Sequence, residues 1–375
     1  MSRLNPYARH PLGAGRVSFR STHDSKEEIM RHARSAIAFA LIVASAWAAT
    51  GTALAQDKKF YKFGSFPPGT TPFIVNTSFA NAVNKYVPGV ELQISATGAA
   101  SQHVLLASEG KIDFFMGAPS SYFLMYKQIG PYKKVTDGPA RTRNLAIIFS
   151  YPLGLYHFVT YADSGIKDLK DVKGKRVFLG PPGGIATRNS ELLIEAMTDY
   201  KPGRDYKQVK MGWGAAQAAF QDRKFDVWIP VGNAPSSAIQ QIALQNKIRL
   251  LGLDKSRFDH PSAKEYFKQP GRLVSEIPAD IYGKNQVNTA PVVSTGTFVS
   301  VSTRADMPAE LIYEMTKAYW EHVDEARAMA PWMKDAISLQ NAVTSLAGQL
   351  HPGAEKYYRE KGVTIPPILN YDKTK

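Results

Sequence analysis

The chain has 375 residues, no cysteine and a formal net charge of +14, from 46 Lys and Arg against 32 Asp and Glu. The absence of cysteine excludes disulfide scaffolds, cysteine nucleophiles, thiolate zinc sites and lipid attachment through an N-terminal cysteine. A composition of 44% hydrophobic and 21% charged residues is that of a globular protein long enough for about two domains, and the positive charge predicts an anionic partner: nucleic acid, a membrane surface or acidic small molecules.

The N-terminal segment has the pattern of a secretory signal peptide. Basic Arg31 and Arg34 precede an apolar run over residues 35–49, and small residues before a predicted cleavage after Ala55 complete the pattern. The run falls short of the roughly 20 residues that a transmembrane helix needs, which disfavours a retained membrane anchor. We expect translation to start at Met30 and the mature protein, without a lipid anchor, to be periplasmic. Export disfavours nucleic acid as the partner.

From Phe60 onward, short apolar segments alternate with amphipathic helical patterns, which is typical of an α/β fold. The first helix is expected to begin at Pro72, behind Thr71 as its N-cap, and the second behind Ser101 as its N-cap. The predicted elements of this part are strands over 60–64, 90–96 and 112–117 and helices over 72–86 and 101–110.

A second set of elements of the same kind follows two apolar segments, 145–149 and 155–161. The predicted elements are a polar helix and turn over 163–174, a strand over 175–180, helices over 186–197 and 214–223, a buried strand over 225–231, a helix opened by Asn233 and Pro235, an irregular segment over 254–289, a strand over 292–301 and a long helix over 309–330.

Two α/β lobes follow from this order of elements. We assign residues 56–152 plus about 291–375, with the crossing segments, to lobe I, and residues 153–290 to lobe II.

Few residues suggest catalysis. Five histidines follow the predicted cleavage site, and none pairs with another histidine or a carboxylate at the spacing of a zinc site. Each is expected at the surface or partly buried. Without a nucleophile and partner base, the sequence predicts no enzyme, no metal site and no cofactor. The histidines are His103, His157, His260, His322 and His351.

Four strand-to-helix junctions, at residues 65–71, 97–101, 180–187 and 232–235, are rich in glycine or hydroxyl residues. In open α/β sheets, ligands bind outside the carboxyl ends of the strands, and the N–H groups of a helix N-terminus attract anions. Any one loop could instead be a tight turn that closes a βα unit. Together the four predict a site between the lobes that holds an anion without transforming it.

Three segments resemble the TAXI family of TRAP transporter solute receptors: ATGAASQHVLLASEGKI at 96–112, ADSGIKDLKDVKGKRVFLGPPGG at 162–184 and HPGAEKYYRE at 351–360. The resemblance extends in order over residues 60–360. It implies a type II periplasmic binding-protein fold, with two α/β lobes and a ligand cleft between them. It also implies delivery to a sodium-driven TRAP permease of a small and a large integral subunit, often fused, and ligands such as small carboxylates and amino acids.

The resemblance places ligand contacts at the same junctions, and two further residues are candidates by their own chemistry. Arg188, in a first helical turn, could clamp a carboxylate through two hydrogen bonds, unless it points to solvent. Trp213, between two glycines, could stack on a ligand or pack inside its lobe. The predicted ligand-binding residues are Ser65, Phe66, Thr70, Thr71, Thr97, Gly98, Ala99, Ser101, Pro119, Ser120, Gly183, Gly184, Thr187, Arg188, Trp213, Asn233 and Pro235.

The chain departs from the family pattern in two places. The first loop brings Phe66 and Phe73, and residues 117–120 lack the usual polar pair. The loss of polar groups disfavours a glutamate-like ligand and leaves the transport role intact. Alternatives are a receptor for an ABC importer of the same fold, an exported hydrolase and a partner of a membrane sensor. We expect a monomer that binds a small organic anion.

Overall fold

The computed structural model of the protein describes residues 58–368 and Tyr371. The predicted signal peptide, its cleavage site and the predicted start at Met30 lie outside these residues. The described chain forms twelve strands: β1 (Lys59–Gly64), β2 (Val90–Ser95), β3 (Phe114–Gly117), β4 (Leu145–Tyr156), β5 (Phe158–Tyr161), β6 (Arg176–Phe178), β7 (Lys207–Gln208), β8 (Val227–Trp228), β9 (Val231–Gly232), β10 (Ile248–Leu251), β11 (Arg272–Ile277) and β12 (Val292–Arg304).

Thirteen α-helices of the described chain connect and cover these strands. They are α1 (Thr71–Tyr86), α2 (Ala100–Ser108), α3 (Pro119–Tyr126), α4 (Gly138–Arg143), α5 (Ile185–Thr198), α6 (Trp213–Gln221), α7 (Ser237–Gln245), α8 (Pro261–Phe267), α9 (Ala309–Glu321), α10 (Val323–Arg327), α11 (Met333–Ala336), α12 (Leu339–Ala342) and α13 (Pro352–Glu360).

The strands form two sheets. The first has seven strands in the order β2-β1-β3-β12-β4-β9, with β11 paired to β12. Strand β1 runs parallel to β2 and β3, whereas β12 runs antiparallel to β3, β4 and β11. The second sheet has five strands in the order β10-β5-β8-β6-β7. We call the first sheet with α1–α4 and α9–α13 lobe I, and the second sheet with α5–α8 lobe II.

Two long strands, β4 and β12, join the lobes. Only His157 separates β4 of lobe I from β5 of lobe II. At the crossing, a Cβ atom on Gly154 would clash with the backbone of Gly232, and one on Gly296 would clash with the carbonyl of Gly154. Glycine is required there because the backbones approach too closely for a side chain. The predicted fold class, two α/β lobes joined by crossing segments with a cleft between them, is confirmed.

Each lobe has its own hydrophobic core. In lobe I, the ring of Phe79 meets those of Phe149 at 5.8 Å and Tyr319 at 5.5 Å. In lobe II, adjacent residues of β6 enter two different clusters, Val177 on one face of the sheet and Phe178 on the other. This alternation is typical of a strand that is covered by helices on both faces.

Strand β4 is longer than the sequence predicts. The sequence indicates two separate apolar segments, 145–149 and 155–161, but β4 continues from the first through Pro152 to Tyr156 in the second. Pro152 lies opposite Phe298, at a register shift in the pairing with β12. Such an irregularity tolerates a residue without an N–H group. The predicted lobe boundary at residue 152 therefore falls inside a strand.

Three other predicted elements are wrong in their extent. Residues 254–289, predicted to be irregular, contain α8 and β11. Among the described strands β11 pairs only with β12, and it exposes three consecutive residues, 274–276, so its apolar alternation is weak. The predicted strand over 225–231 divides at Pro230 into β8 of lobe II and β9 of lobe I, since proline cannot donate to a ladder. The predicted helix over 309–330 is two helices, α9 and α10, divided at His322.

The N-caps of the first two helices also differ from the prediction. Thr70, and not Thr71, caps α1, with its hydroxyl oxygen 3.4 Å from the Phe73 nitrogen that donates to it. Helix α2 begins behind Ala99, and Ser101 lies inside the helix.

His157, at the junction between the lobes, is fully buried rather than partly exposed. Its Nδ1 lies 3.0 Å from the carbonyl oxygen of Leu155, and its Nε2 lies 2.8 Å from the hydroxyl of Tyr282. A neutral ring satisfies both contacts, because Nδ1–H donates to the carbonyl and Nε2 accepts from the hydroxyl. Burial lowers the pKa of His157 from its usual 6.5 to about 4.

The burial of His157 predicts a loss of stability in mildly acidic solution. The unfolded chain binds a proton on this ring as the pH falls through about 6.5, whereas the folded chain binds it only at about pH 4. Between these values, each pH unit lost lowers the free energy of unfolding by up to roughly 1.4 kcal/mol. Urea denaturation across this range measures the effect.

The variant His157→Gln should be less stable than the wild type near neutral pH but should lose less stability as the pH falls. His322→Gln, at a partly exposed ring, is the matched control. Equal pH dependence in the wild type and His157→Gln would contradict this account.

Candidate functional site

A cavity of about 760 Å³ lies between the lobes. This volume is in the range of small-molecule sites, roughly 300–1,000 Å³. Both lobes and both crossing strands contribute to its wall. The lining residues lie within 66–74, 99–121, 153–156, 181–189, 213–217, 228–240, 297–299 and 329–332, together with Arg272.

Six helices begin at this cavity: α1, α2 and α3 of lobe I and α5, α6 and α7 of lobe II. Among these six, only α1 has a side-chain hydrogen bond from its N-cap residue. The first-turn N–H groups of the other five are therefore free of a side-chain cap, and the positive ends of the helix dipoles favour an anion. The five N-cap residues are Ala99, Ala118, Gly184, Gly212 and Ser236.

One charged side chain, that of Arg272, is among the lining residues, which include no Asp, Glu, Lys or His. Arg272 is the first residue of β11 and lies opposite Thr297 of β12. Its guanidinium carbon lies 4.3 Å from the centre of the Tyr266 ring, and its Nη2 donates to the side-chain oxygen of Gln269. Its Nε is buried without a hydrogen-bond partner, and no carboxylate of the described residues pairs with it. The positive charge is left for an anionic ligand.

A chain of side-chain hydrogen bonds extends from Arg272 to Tyr156. Gln269, which accepts from Arg272, donates to the Asn189 oxygen at 3.3 Å, and Asn189 donates to the Tyr156 hydroxyl at 2.9 Å. Burial raises the pKa of Tyr156, so its hydroxyl keeps its proton. Within the described part of the chain, that proton has no acceptor. Tyr156 therefore offers a second donor at the lining of the cavity.

Trp228 supplies a third donor. Its side chain lines the cavity and is only 4% exposed. Its indole Nε1 is buried and has no hydrogen-bond partner among the described residues. An unsatisfied buried N–H group is costly, so a rearrangement of the wall that gave it an acceptor would be stabilising.

The rest of the wall is largely apolar and aromatic. Phe66 is buried against the ring of His103 at 5.4 Å, and Phe73 is half-buried at the start of α1. Trp213 lines the cavity, and its ring also packs on that of Phe178 at 5.4 Å. Ligand contact and lobe packing, predicted as alternatives, are therefore compatible with each other at this position.

At the edge of the cavity, one hydrogen bond joins the residue after β9 to α1 of lobe I, and another crosses from α7 of lobe II to lobe I. The backbone N–H of Asn233 donates to the Thr71 hydroxyl oxygen at 3.0 Å, and the Ser237 hydroxyl donates to the carbonyl of Gly69 at 3.4 Å. The Asn233 side chain donates to the carbonyl of Pro152 in β4 at 3.0 Å. These contacts hold the lobes together beside the cavity.

The structure brings nine of the predicted ligand-binding residues together. They come from five segments, which belong to both lobes, and so they lie where a site between the lobes is predicted. The nine lining residues are Phe66, Thr70, Thr71, Ala99, Ser120, Gly184, Trp213, Asn233 and Pro235.

Eight other predicted residues lie outside the lining. Arg188 pairs with Glu265 at 2.8 Å and with Glu191 at 3.8 Å, so its guanidinium already has carboxylate partners. The hydroxyl of Thr187 donates to the carbonyl of Pro181 at 2.7 Å. The fully buried Ser65 hydroxyl accepts from Asn76. The eight residues are Ser65, Thr97, Gly98, Ser101, Pro119, Gly183, Thr187 and Arg188.

Sequence reasoning missed Arg272, Tyr156 and Trp228. Arg272 lies in the segment that was predicted to be irregular, and nothing local indicates that β11 would pair with β12 across the cavity. Tyr156 lies in a segment predicted to be apolar and Trp228 in a predicted buried strand, where a tyrosine or tryptophan is usually part of the core. The one available signal was the polar atom that each ring carries.

Other kinds of site are not found in the described part of the chain. Residues 58–368 contain no group of three or more His, Asp or Glu side chains that could hold a metal ion. None of the described helices is long and apolar enough to cross a membrane.

A model of the NMT1-like family matches residues 63–362. Among solved structures, the chain is similar to the periplasmic aliphatic sulphonate binding protein SsuA of Escherichia coli, with 14% identity, 82% of this chain and 79% of that chain covered and a TM-score of 0.38. A TRAP periplasmic solute binding protein from Desulfovibrio salexigens with bound orotic acid has 14% identity, coverage of 84% and 88% and a TM-score of 0.42. One from Shewanella oneidensis with bound succinate has 12% identity, coverage of 83% and 88% and a TM-score of 0.43.

The hydrogen-bond chain predicts that Asn189 stabilises the fold. Replacement of the buried Asn189 by alanine leaves Gln269 without its acceptor and Tyr156 without its donor. The free energy of unfolding, measured by urea denaturation, should fall by about 1–3 kcal/mol. Gln240→Ala, at an exposed residue of the same lining, should change it by less than about 0.5 kcal/mol. Equal effects of the two substitutions would contradict the prediction.

Proposed function

This chain belongs to the NMT1-like family, and we propose that it is an extracytoplasmic solute receptor. The receptor captures a small organic anion in the cleft between its lobes and presents it to a membrane permease. The single observation that supports this function most is the guanidinium of Arg272, the one charge in the cavity lining, with no carboxylate partner among the described residues.

The anionic group of the ligand binds beside Arg272. A carboxylate accepts from the guanidinium of Arg272 and from the Tyr156 hydroxyl, whose proton has no acceptor in the described chain. Hydrogen bonds between charged partners are about twice as strong as those between neutral groups. The uncapped first turns of five helices add further donors and a favourable field.

Closure of the lobes follows from the arrangement of the crossing strands. Because β4 leads directly into β5 of lobe II and the first residues of β12 pack on the clusters of lobe II, changes in the backbone angles of these two strands can open the cleft without disturbing either core. The hydrogen bonds from Asn233 to Thr71 and from Ser237 to Gly69 form the closed edge. The closed form is then the one that docks on the permease.

The cavity favours binding over catalysis. Its lining contains no His, Asp, Glu or Lys that could act as a general acid or base. Ser120 lines it, but no imidazole or carboxylate lies in the lining to activate that hydroxyl. The exported hydrolase, which was an alternative from the sequence, lacks this support.

For the permease, we propose a sodium-driven TRAP system and assign the chain to the TAXI family. The support is the resemblance of segments 96–112, 162–184 and 351–360, and the proposed location is the periplasm, behind the predicted signal peptide. A receptor for an ABC importer is the alternative. Uptake of a bound ligand by cells that carry the receptor and its neighbouring permease distinguishes the two: a TRAP system stops when the sodium gradient is collapsed, and an ABC importer stops when ATP is depleted.

Arg272 should dominate the affinity for organic anions. Thermal shift and calorimetry of the folded protein against a panel of organic acids should find a ligand that stabilises the wild type by about 2.7 kcal/mol at 100 times its dissociation constant. Arg272→Gln should weaken this ligand on the order of 100-fold, because a charge-assisted hydrogen bond is lost inside the cavity.

The matched control is Arg188→Gln, which removes another guanidinium near the cleft. Arg188 lies outside the cavity lining and is already paired with Glu265. This control should bind the ligand with wild-type affinity. Unchanged binding by Arg272→Gln, or no stabilisation by any organic anion, would overturn the proposed function.

A further inference from the structure

The cavity lining carries only positive charge. Arg272 is its one charged side chain, and the six helices that begin there present the positive ends of their dipoles. The lining contains no Asp or Glu that could neutralise a ligand cation. An ammonium group bound in this cavity would be removed from water without a carboxylate partner, which is strongly unfavourable.

The donors without hydrogen-bond partners also favour an anion over an ammonium group. The Nε–H of Arg272, the indole N–H of Trp228 and the hydroxyl proton of Tyr156 are donors that have no acceptor among the described residues. All three residues line the cavity. A ligand that only accepts hydrogen bonds matches this excess of donors around the cavity, whereas each N–H of an ammonium group would compete for acceptors.

The walls away from Arg272 are suited to an apolar body. Phe73 and Trp332 are half-buried and have no aromatic partner among the described residues. Trp213 lines the cavity from lobe II. Pro67 of lobe I lies close by, because a Cβ atom on the next residue, Gly214, would be 3.6 Å from the Pro67 ring. Covering such rings with an apolar group removes them from water, which favours binding.

We propose that the ligand is an organic acid with an aromatic or other apolar body and without an ammonium group. This inference rests on the proposed receptor function and deepens it by naming the class of ligand. It separates the chain from a receptor for amino acids or for short dicarboxylates, for which the cavity offers neither a counter-charge to the amine nor a second cationic side chain.

Two matched pairs of compounds test the inference by calorimetry on the wild-type protein. The first pair is 3-phenylpropionate and L-phenylalanine, which differ only by the ammonium group. The second pair is glutarate and L-glutamate, which differ in the same way and lack a ring. We expect 3-phenylpropionate to bind at least about 100-fold more tightly than L-phenylalanine and about 10-fold more tightly than glutarate.

Substitutions of the wall give an independent test. Trp213→Leu should weaken 3-phenylpropionate about 10-fold while changing the affinity for glutarate less than about 2-fold, because only the aromatic body contacts the ring. Arg272→Gln should weaken both acids. Circular dichroism establishes that each variant is folded, and Phe60→Leu, at an exposed ring outside the lining, is the control for loss of an aromatic side chain.

The outcomes distinguish the ligand class from the receptor function. If L-phenylalanine or L-glutamate binds as tightly as its acid partner, and the binding depends on Arg272, the ligand class is wrong and the receptor function stands. If glutarate binds more tightly than 3-phenylpropionate, the apolar body is wrong. If no acid binds, both the ligand class and the receptor function are wrong.

Discussion

The central feature of the cleft is the positive charge of Arg272, which no carboxylate of the described chain neutralises. Arg272 is held by the ring of Tyr266 and by Gln269, yet its Nε is buried without a partner and no carboxylate of the described chain approaches it. A partly buried ion without a counter-charge lowers stability unless a ligand supplies one. The remaining features of the cleft, including the uncapped helix N-termini and the free donors of Tyr156 and Trp228, have the same bias toward an acceptor.

The crossing strands create this site. Strand β12 carries β11 on one edge and β4 on the other, so Arg272 and Tyr156 reach the same cavity although 116 positions separate them in the sequence. The close backbone approach at Gly154 and Gly296 makes this crossing possible. The same strands connect the two separate cores, so the part of the molecule that holds the ligand is also the part about which the lobes can move.

Local sequence patterns predicted the fold class and the loops of the site, but not its charge. Gly184, Thr71 and Asn233, which lie in the cavity lining, were predicted because strand-to-helix junctions have a recognisable composition and parallel strands end at one edge of a sheet. Arg188 was predicted as the carboxylate clamp because it follows such a junction, but Glu265, 77 residues away, pairs with it. Strand pairing between β11 and β12 and ion pairs of this kind depend on contacts distant in sequence, which no local period reveals.

The most direct test is a crystal structure of the protein with a bound organic acid. We expect the acid in the cavity between the lobes, with a carboxylate oxygen about 3 Å from a guanidinium nitrogen of Arg272 and its body against Trp213. An acid bound elsewhere, or bound in the cavity with its carboxylate away from Arg272, would contradict it.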